Sequence, residues 1–305
     1  MAVKWIVAGS SGLVGTALVA ALESAGDVVV RLRRSDAKPQ ATQTGDPSPV
    51  WDPARGVLGD GVLDGADVVV NLAGESIGAR RWTRDQKERI VSSRESATSV
   101  LARRIAGQKD KPTLVNASAV GIYGDGGDAV LSEASPPGQG FLADVCRRWE
   151  AATLPAVDAG GRVVLARLGV VLSPSGGALA AQLPLFRHGL GGRLGGGAQY
   201  VSWVAIGDAV GAIVHLAKNA RIDGPVNVTA PEPVTNRQFT EALADVCGKP
   251  ARLAVPAAAL QVRFGSEMAR ELLLAGQRAV PQRLEETGYA FSFASLRPAL
   301  GSLLH

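Results

Sequence analysis

The sequence predicts an α/β fold: a parallel sheet doubly wound by helices on both faces, with a smaller, mostly helical lobe closing over its carboxyl edge. Three observations predict it. Short β-branched runs alternate with amphipathic stretches through the first half of the chain, which implies strand-helix-strand units and a sheet covered on both sides. A glycine-rich turn, "GSSGLVG" at residues 9–15, joins the first such run to the first amphipathic stretch. After "GPVNVTAPEPVT" the chain becomes mostly helical to its end.

Taken in order, "VKWIVAG" reads as the first strand and "GTALVAALESAG" as a helix closed by Gly26. "DVVVRLRR" reads as the second strand and "ADVVVNLAG" as a later parallel one. The long helix "TRDQKERIVSSRESATSVLARRIAG" has Thr83 as its N-cap and Gly107 as its C-cap. "PTLVNASAVGIYG" is a buried strand with its exit loop, and "RVVLARLGVVL" a further strand. Residues 173–200 are rich in glycine and break the alternation. The expected division is therefore a nucleotide-binding core at 1–172 and 203–230, and a substrate lobe at 173–202 and 231–305. Doubly wound sheets bind their ligands at the carboxyl ends of the strands, under such a lobe.

Composition narrows the function. The chain has 305 residues, 46% of them apolar, and a formal charge of +4 with its basic residues scattered. A nucleic-acid partner calls for a concentrated basic face, so none is expected. No apolar run is long enough for a bilayer, and no membrane partner is expected either. The two cysteines, Cys146 and Cys247, lie far apart without metal spacing. They fit a reducing compartment, and with no export signal before the first strand a cytoplasmic location is expected. His188, His215 and His305 are too scattered for a metal site, and no metal is expected.

In the glycine turn, Gly9 permits a tight bend, Gly12 lets the backbone approach a pyrophosphate, and Gly15 lets helix and strand pack closely. The helix N-terminus then offers free N–H groups to an anion. The spacing is G-x-x-G-x-x-G, and a tight turn without a ligand is the alternative. The end of the second strand selects the dinucleotide. An NAD site places an acid there for the ribose hydroxyls. Here Arg33 and Arg34 stand in its place, with Asp36 beyond them. Guanidinium groups match a phosphate in charge and geometry, which favours NADP; a solvated turn is the alternative.

Several blocks follow in an order that resembles a known family: "AGSSGLVG", "VVNLAGESI", "RRW", "SSR", "NASAVGIYG", "FLADVCRRWE", "LARLGVVLSPSGGAL", "GLGG", "SWVAIGDAV", "NVTAPEPVTN" and "GQRAVPQRL". Together they look like the atypical extended short-chain dehydrogenase/reductases of the YfcH or SulA-like type, often labelled nucleoside-diphosphate-sugar epimerases. The resemblance covers essentially the whole chain. It implies a Rossmann-type core binding NADP(H), with Gly9, Ser10, Gly12, Leu13 and Val14 as pyrophosphate contacts. It implies Arg33 and Arg34 at the 2′-phosphate, Asp52 near the adenine, and Leu72, Ala73 and Gly74 along the adenosine ribose. It names no substrate.

Short-chain dehydrogenases transfer a proton with a Tyr whose pKa is lowered by a Lys four residues on, the two sharing one helix face. The corresponding helix here carries Phe141 and Val145, or in the adjacent register Leu142 and Cys146. Neither register supplies a phenol and an amine. The remaining candidates are Ser118 and Tyr123 in "NASAVGIYG", at the carboxyl end of a central strand. Ala119 competes with Ser118 for the family's Ser or Thr position, and Tyr123 could instead pack in the loop with its hydroxyl bonded. Relatives that use nucleotide sugars place an Arg near Val201, which argues against such substrates. Arg80, Arg81 and Trp82 either bind an anionic or aromatic substrate or cap the following helix. Asp208 is expected to cap its own helix. The expected function is an NADP(H)-dependent oxidoreductase or epimerase-like enzyme acting on a small carbonyl or alcohol. The alternative is an NADP(H)-binding regulatory or partner protein without turnover. A small-molecule substrate is the expected partner, and a homodimer is the assembly left open.

Overall fold

The computed structural model describes residues 2–34 and 50–305. In chain order the first strands are β1 (Lys4–Ala8), β2 (Val28–Arg34), β3 (Val50–Asp52), β4 (Val57–Leu58), β5 (Val68–Asn71) and β6 (Thr113–Ala119). They are followed by β7 (Val130–Leu131), β8 (Val163–Leu168), β9 (Val170–Leu172), β10 (Gly192–Leu194), β11 (Tyr200–Val201), β12 (Trp203–Ala205) and β13 (Gly224–Val228). One eight-stranded sheet has the order β13-β8-β6-β5-β1-β2-β3-β4. All its neighbours pair in parallel except β4, which turns back on β3. This is the doubly wound Rossmann-type sheet that the sequence predicts.

The period-two alternation of the strands assigns the helices to the two faces. From β1, Trp5 and Val7 point to one face, where Leu18 and Leu22 of α1 (Leu13–Ser24) complete a core cluster. Ile6 and Ala8 point to the other, against Leu101 and Ile105 of α2 (Arg84–Ala106). The α2 cap is as predicted: the Thr83 side chain accepts the Gln86 N–H at 3.2 Å, and Gly107 is the C-cap. The second face also carries α3 (Phe141–Ala151) and α4 (Leu154–Asp158).

The run "RVVLARLGVVL" differs from the expectation of one strand. β8 stays in the main sheet, whereas β9 leaves it to pair in parallel with β12. The switch occurs at Gly169, whose N–H bonds Val228 O while the next N–H, of Val170, bonds Ser202 O at 2.7 Å. A Cβ at Gly169 would collide with Ser202 O, so only glycine lets the two backbones cross here.

This switch leads the chain into the lobe. There α5 (Gly177–Arg187), α7 (Asn236–Val246) and the last helix share a third core of Leu179, Leu183, Phe186, Trp203, Phe239, Leu243, Leu296 and Leu300. Between them α6 (Ile206–Lys218) returns to the first face of the sheet, its Ile213 and Leu216 joining the cluster of α1. The rest of the chain adds β14 (Val234–Thr235), β15 (Leu253–Val255) and β16 (Arg278–Ala279), the helices α8 (Ala257–Phe264), α9 (Ser266–Met268), α10 (Gln282–Glu286) and α11 (Leu296–Leu304), and a wide turn at Ala269–Leu274; β16 pairs with β7, and Leu284 of α10 joins the core of α1. Asp208 does not cap α6. Its carboxylate accepts the N–H groups of Ser292 and Phe293 at 2.8 and 3.1 Å, and its carbonyl accepts the Tyr289 hydroxyl. The returning C-terminal segment thus claims the acid that local sequence would give to the helix. Among the described residues no helix is long and apolar enough to cross a membrane.

Candidate functional site

The glycine turn sits at the carboxyl end of β1. Gly9 adopts φ +77°, a region that favours glycine, and a Cβ there would lie 2.6 Å from the Leu72 carbonyl. A Cβ at Gly15 would collide with Gly9 O, so the first turn of α1 and the loop touch through bare backbone. Gly12 is the N-cap of α1, its N–H closing the turn onto Gly9 O at 3.0 Å. A Cβ on Gly12 would meet only Gly9 O, at 3.4 Å. No side chain caps α1 and no acidic residue stands in its first turn. Free N–H groups, the positive end of the helix and open space before Gly12 together fit an anion such as a diphosphate. Ser10 is buried in the turn. Leu13 packs its methyl groups toward Gly176 and Gly177 at the start of α5, and Val14 lies against the first core.

The other cofactor candidates line the same edge. Arg33 and Arg34 end β2 and pair in register with Val50 and Trp51; Asp36 lies outside the described residues. Asp52 ends β3, where its carboxylate accepts the Arg55 N–H and stands 3.5 Å from the Arg55 guanidinium. After β5, the Leu72 N–H bonds Ala8 O and the Ala73 N–H bonds the Asn71 side chain, so the turn at 72–74 abuts β1. Asn71 in turn bonds Thr98 of α2 and Asn116 of β6, a buried polar pin between the strands and the helix. Glycine turn, β2 end, Asp52 and residues 72–74 therefore occupy consecutive strand ends.

Ser118 and Tyr123 lie one strand further on, and both are buried, at 1% and 3% exposure. Ser118 Oγ donates to Glu150 Oε1 at 2.6 Å. Both Glu150 oxygens also accept from Arg167 of β8, each at 2.9 Å. Arg167 Nη1 donates to the Tyr123 hydroxyl at 3.0 Å, and that hydroxyl donates to Asn227 Oδ1 at 2.8 Å. The Asn227 N–H reaches Glu133 Oε1, and its amide reaches Val280 O of the lobe. One buried chain of polar groups thus runs from α3 through β8 and β13 to the C-terminal segment. Burial pushes the Tyr123 phenol above its ordinary pKa, against the opposing effect of Arg167. Burial works against the Arg167 charge as well, but the bidentate Glu150 carboxylate outweighs it and the guanidinium ends above its usual range.

Sequence reasoning missed Glu150 and Arg167. An Arg inside the apolar run "VVLARLGVV" is the signal, since a charge in a buried parallel strand demands a partner. The Trp82 ring N–H donates to Ile77 O rather than capping α2, and its ring packs edge-on against Phe141 with centroids 4.9 Å apart. Phe141 opens α3 beneath the Lys87 ammonium, 4.4 Å from the ring centre. Lys87 pairs with Glu267 at 2.7 Å, and Glu271 Oε2 accepts the Leu142 N–H at 2.9 Å. The helix end where the resemblance would place a Tyr is therefore covered by the segment that carries Glu267 and Glu271. In the adjacent register, burial pushes the Cys146 thiol up to about 11, with the Glu150 carboxylate adding to the shift. The thiol stays neutral and cannot replace a lysine charge. Among the described residues no cluster of His, Cys, Asp or Glu could hold a metal ion.

A sheet of this order with a glycine turn over its first strand defines a dinucleotide-binding class of protein. The chain belongs to the NAD dependent epimerase/dehydratase family, whose model matches residues 5–229. Residues 255–303 match a domain of unknown function, DUF1731. An epimerase family protein of Mycobacterium bovis is 45% identical over 296 residues, 97% of this chain and 95% of that protein. The crystal structure of the human epimerase family protein SDR39U1 with NADPH is similar at a TM-score of 0.87 and 33% identity, over 98% of each chain. The crystal structure of a nucleoside-diphosphate sugar epimerase from Corynebacterium glutamicum is similar at 0.80 and 37% identity, over 100% of this chain and 58% of that one.

Proposed function

We propose that this chain is an NADP(H)-dependent oxidoreductase or epimerase-like enzyme acting on a small carbonyl or alcohol. The observation that carries the reading is the uncapped, open glycine turn at the carboxyl edge, with two arginines ending the neighbouring strand. The NADPH held by the human relative supports the same cofactor. The backbone at Gly9, Ser10, Gly12, Leu13 and Val14 would hold the pyrophosphate, Arg33 and Arg34 the 2′-phosphate, Asp52 the adenine side, and residues 72–74 the adenosine ribose. Bound there, the cofactor supplies hydride transfer. The reacting oxygen then needs its charge stabilised in a water-poor cleft. In this reading Ser118 and Tyr123 serve it only by opening their bonds to Glu150, Arg167 and Asn227.

Those same bonds, together with the absence of a Tyr and Lys on α3, favour a second reading: an NADP(H)-binding protein without turnover. NADPH oxidation across a panel of small aldehydes, ketones and keto acids separates the two. The enzyme reading predicts turnover that falls by about a hundredfold or more in Ser118→Ala or Tyr123→Phe, the lower range for a lost acid-base group. Tight NADPH binding with no oxidation across the panel selects the second reading. Full rate in Tyr123→Phe assigns that phenol to structure alone.

A further inference from the structure

On the side of the sheet away from Arg33 and Asp52, Arg94 forms no ion pair among the described residues, the Glu75 carboxylate acting on it only at longer range. Arg94 lies on α2, one helical turn beyond Ile90, on the face turned to the protein. Its Nη1 donates to Glu75 O at 2.9 Å and to Ile90 O at 3.0 Å. Among the described residues these two backbone carbonyls are its only hydrogen-bond acceptors, although a guanidinium carries five N–H donors. A Cβ on Gly74 would sit 3.0 Å from its Cζ, so the guanidinium lies directly beside the turn at 72–74. On its other side it stands 4.9 Å from the centre of the Trp149 ring of α3. Trp149 is 7% exposed, and its Nε1–H has no partner among the described residues. Burial lowers the Arg94 pKa, with Cys146 and Glu75 opposing.

A buried donor without an acceptor costs about 1–3 kcal/mol, and a buried cation without an anion costs more. Only the Trp149 Nε1–H is such an orphan; beside it the half-buried Arg94 guanidinium carries donors beyond the one that reaches the two carbonyls, and together they are complementary to a ligand oxygen. Topology says which oxygen. The adenosine candidates sit at the ends of β2, β3 and β5, the last being the turn at 72–74, and the anion turn sits over β1. Arg94 bounds the turn at 72–74 on one side and faces Trp149 of α3 on the other, so a dinucleotide laid across that edge carries its second half past Gly74 toward Trp149. This is also where Cys146 leaves the helix without a lysine.

We propose that Arg94 and Trp149 form the subsite for the nicotinamide-ribose half of the cofactor, donating from α2 and α3 to its ribose or phosphate oxygens. The proposal rests on the NADP(H) reading. It makes this pair, rather than a Tyr-x-x-x-Lys pair, the fixed donor set on that half. Arg94 is then a binding residue for the nicotinamide end and indifferent to the adenosine end.

The test is calorimetric binding of two probes, NADPH and 2′,5′-ADP, which lacks the nicotinamide half, to the wild type and to Arg94→Met, Arg94→Lys and Trp149→Phe. The expected result is at least tenfold weaker NADPH binding in Arg94→Met, with 2′,5′-ADP affinity changed less than twofold. Arg94→Lys should recover part of the loss. Trp149→Phe, which keeps the ring and removes the N–H, should weaken NADPH severalfold and spare 2′,5′-ADP. It provides an independent reading if Arg94→Met fails to fold. Equal weakening of both probes would show that Arg94 only shapes the turn at 72–74 and overturns the proposal, as does unchanged NADPH affinity. A wild type that binds neither probe removes the cofactor reading itself and the subsite with it. A wild type that binds both, with indifferent variants, leaves the cofactor reading standing and removes only the subsite.

Discussion

Tyr123 shows how much a single hydroxyl organises here. It accepts from Arg167 and donates to Asn227, so it joins the Glu150–Arg167 ion pair to the strand that carries the lobe. Replacing it by Phe leaves Asn227 Oδ1 without its donor and Arg167 Nη1 with only the distant Glu133 O, at 3.5 Å. We expect Tyr123→Phe to cost about 1–3 kcal/mol in urea unfolding, the range for an orphaned buried polar group. A variant as stable as the wild type would show that water or a rearranged Arg167 replaces the hydroxyl at no cost. At this scale the sequence was legible where chemistry leaves a pattern. Gly9 and Gly15 were readable because backbone contact forbids any side chain. Arg94 and Arg167 were readable in principle as charges at core-facing positions. Their partners were not, because Glu75, Trp149 and Glu150 come from other elements and no spacing rule connects them.

Among the elements, α3 carries Phe141 and Val145 where the resemblance would place a Tyr and a Lys. It begins after Gly140, at φ +110°, with no side-chain cap of its own. Glu271 of the lobe supplies one from outside, its carboxylate accepting the Leu142 N–H. A carboxylate at a helix N-terminus satisfies an orphan donor and meets the positive end of the helix dipole. Glu271→Gln keeps an acceptor but removes the charge, and we expect a loss of about 0.3–1 kcal/mol, with faster hydrogen exchange at Leu142. Unchanged exchange there would mean that α3 holds its first turn without the lobe. The main strands and the caps of α2 were legible because they depend on local alternation and local side chains. The departure of β9 at Gly169 was not, because it is set by Ser202, more than thirty residues away.

As a whole, the molecule is tied together by its C-terminal segment. That segment bonds Asp208 of α6 through Ser292 and Phe293, Asn227 of β13 through Val280, and α3 through Glu271. It covers the start of α3, and leaves the row of strand ends from Asp52 to Gly74, with Arg94 beside it, as the candidate cofactor track. The central claim is that this track takes NADP(H), with Arg33 and Arg34 selecting its 2′-phosphate. Isothermal titration of the wild type and of Arg33→Ala/Arg34→Ala with NADPH and NADH tests it most directly. A charge-assisted hydrogen bond contributes about 1.5–3 kcal/mol, which corresponds to about tenfold or more in affinity. The account predicts NADPH bound at least that much more tightly than NADH by the wild type, and the preference lost in the double variant. Equal affinities for the two cofactors, or undiminished NADPH binding without the two arginines, would contradict it.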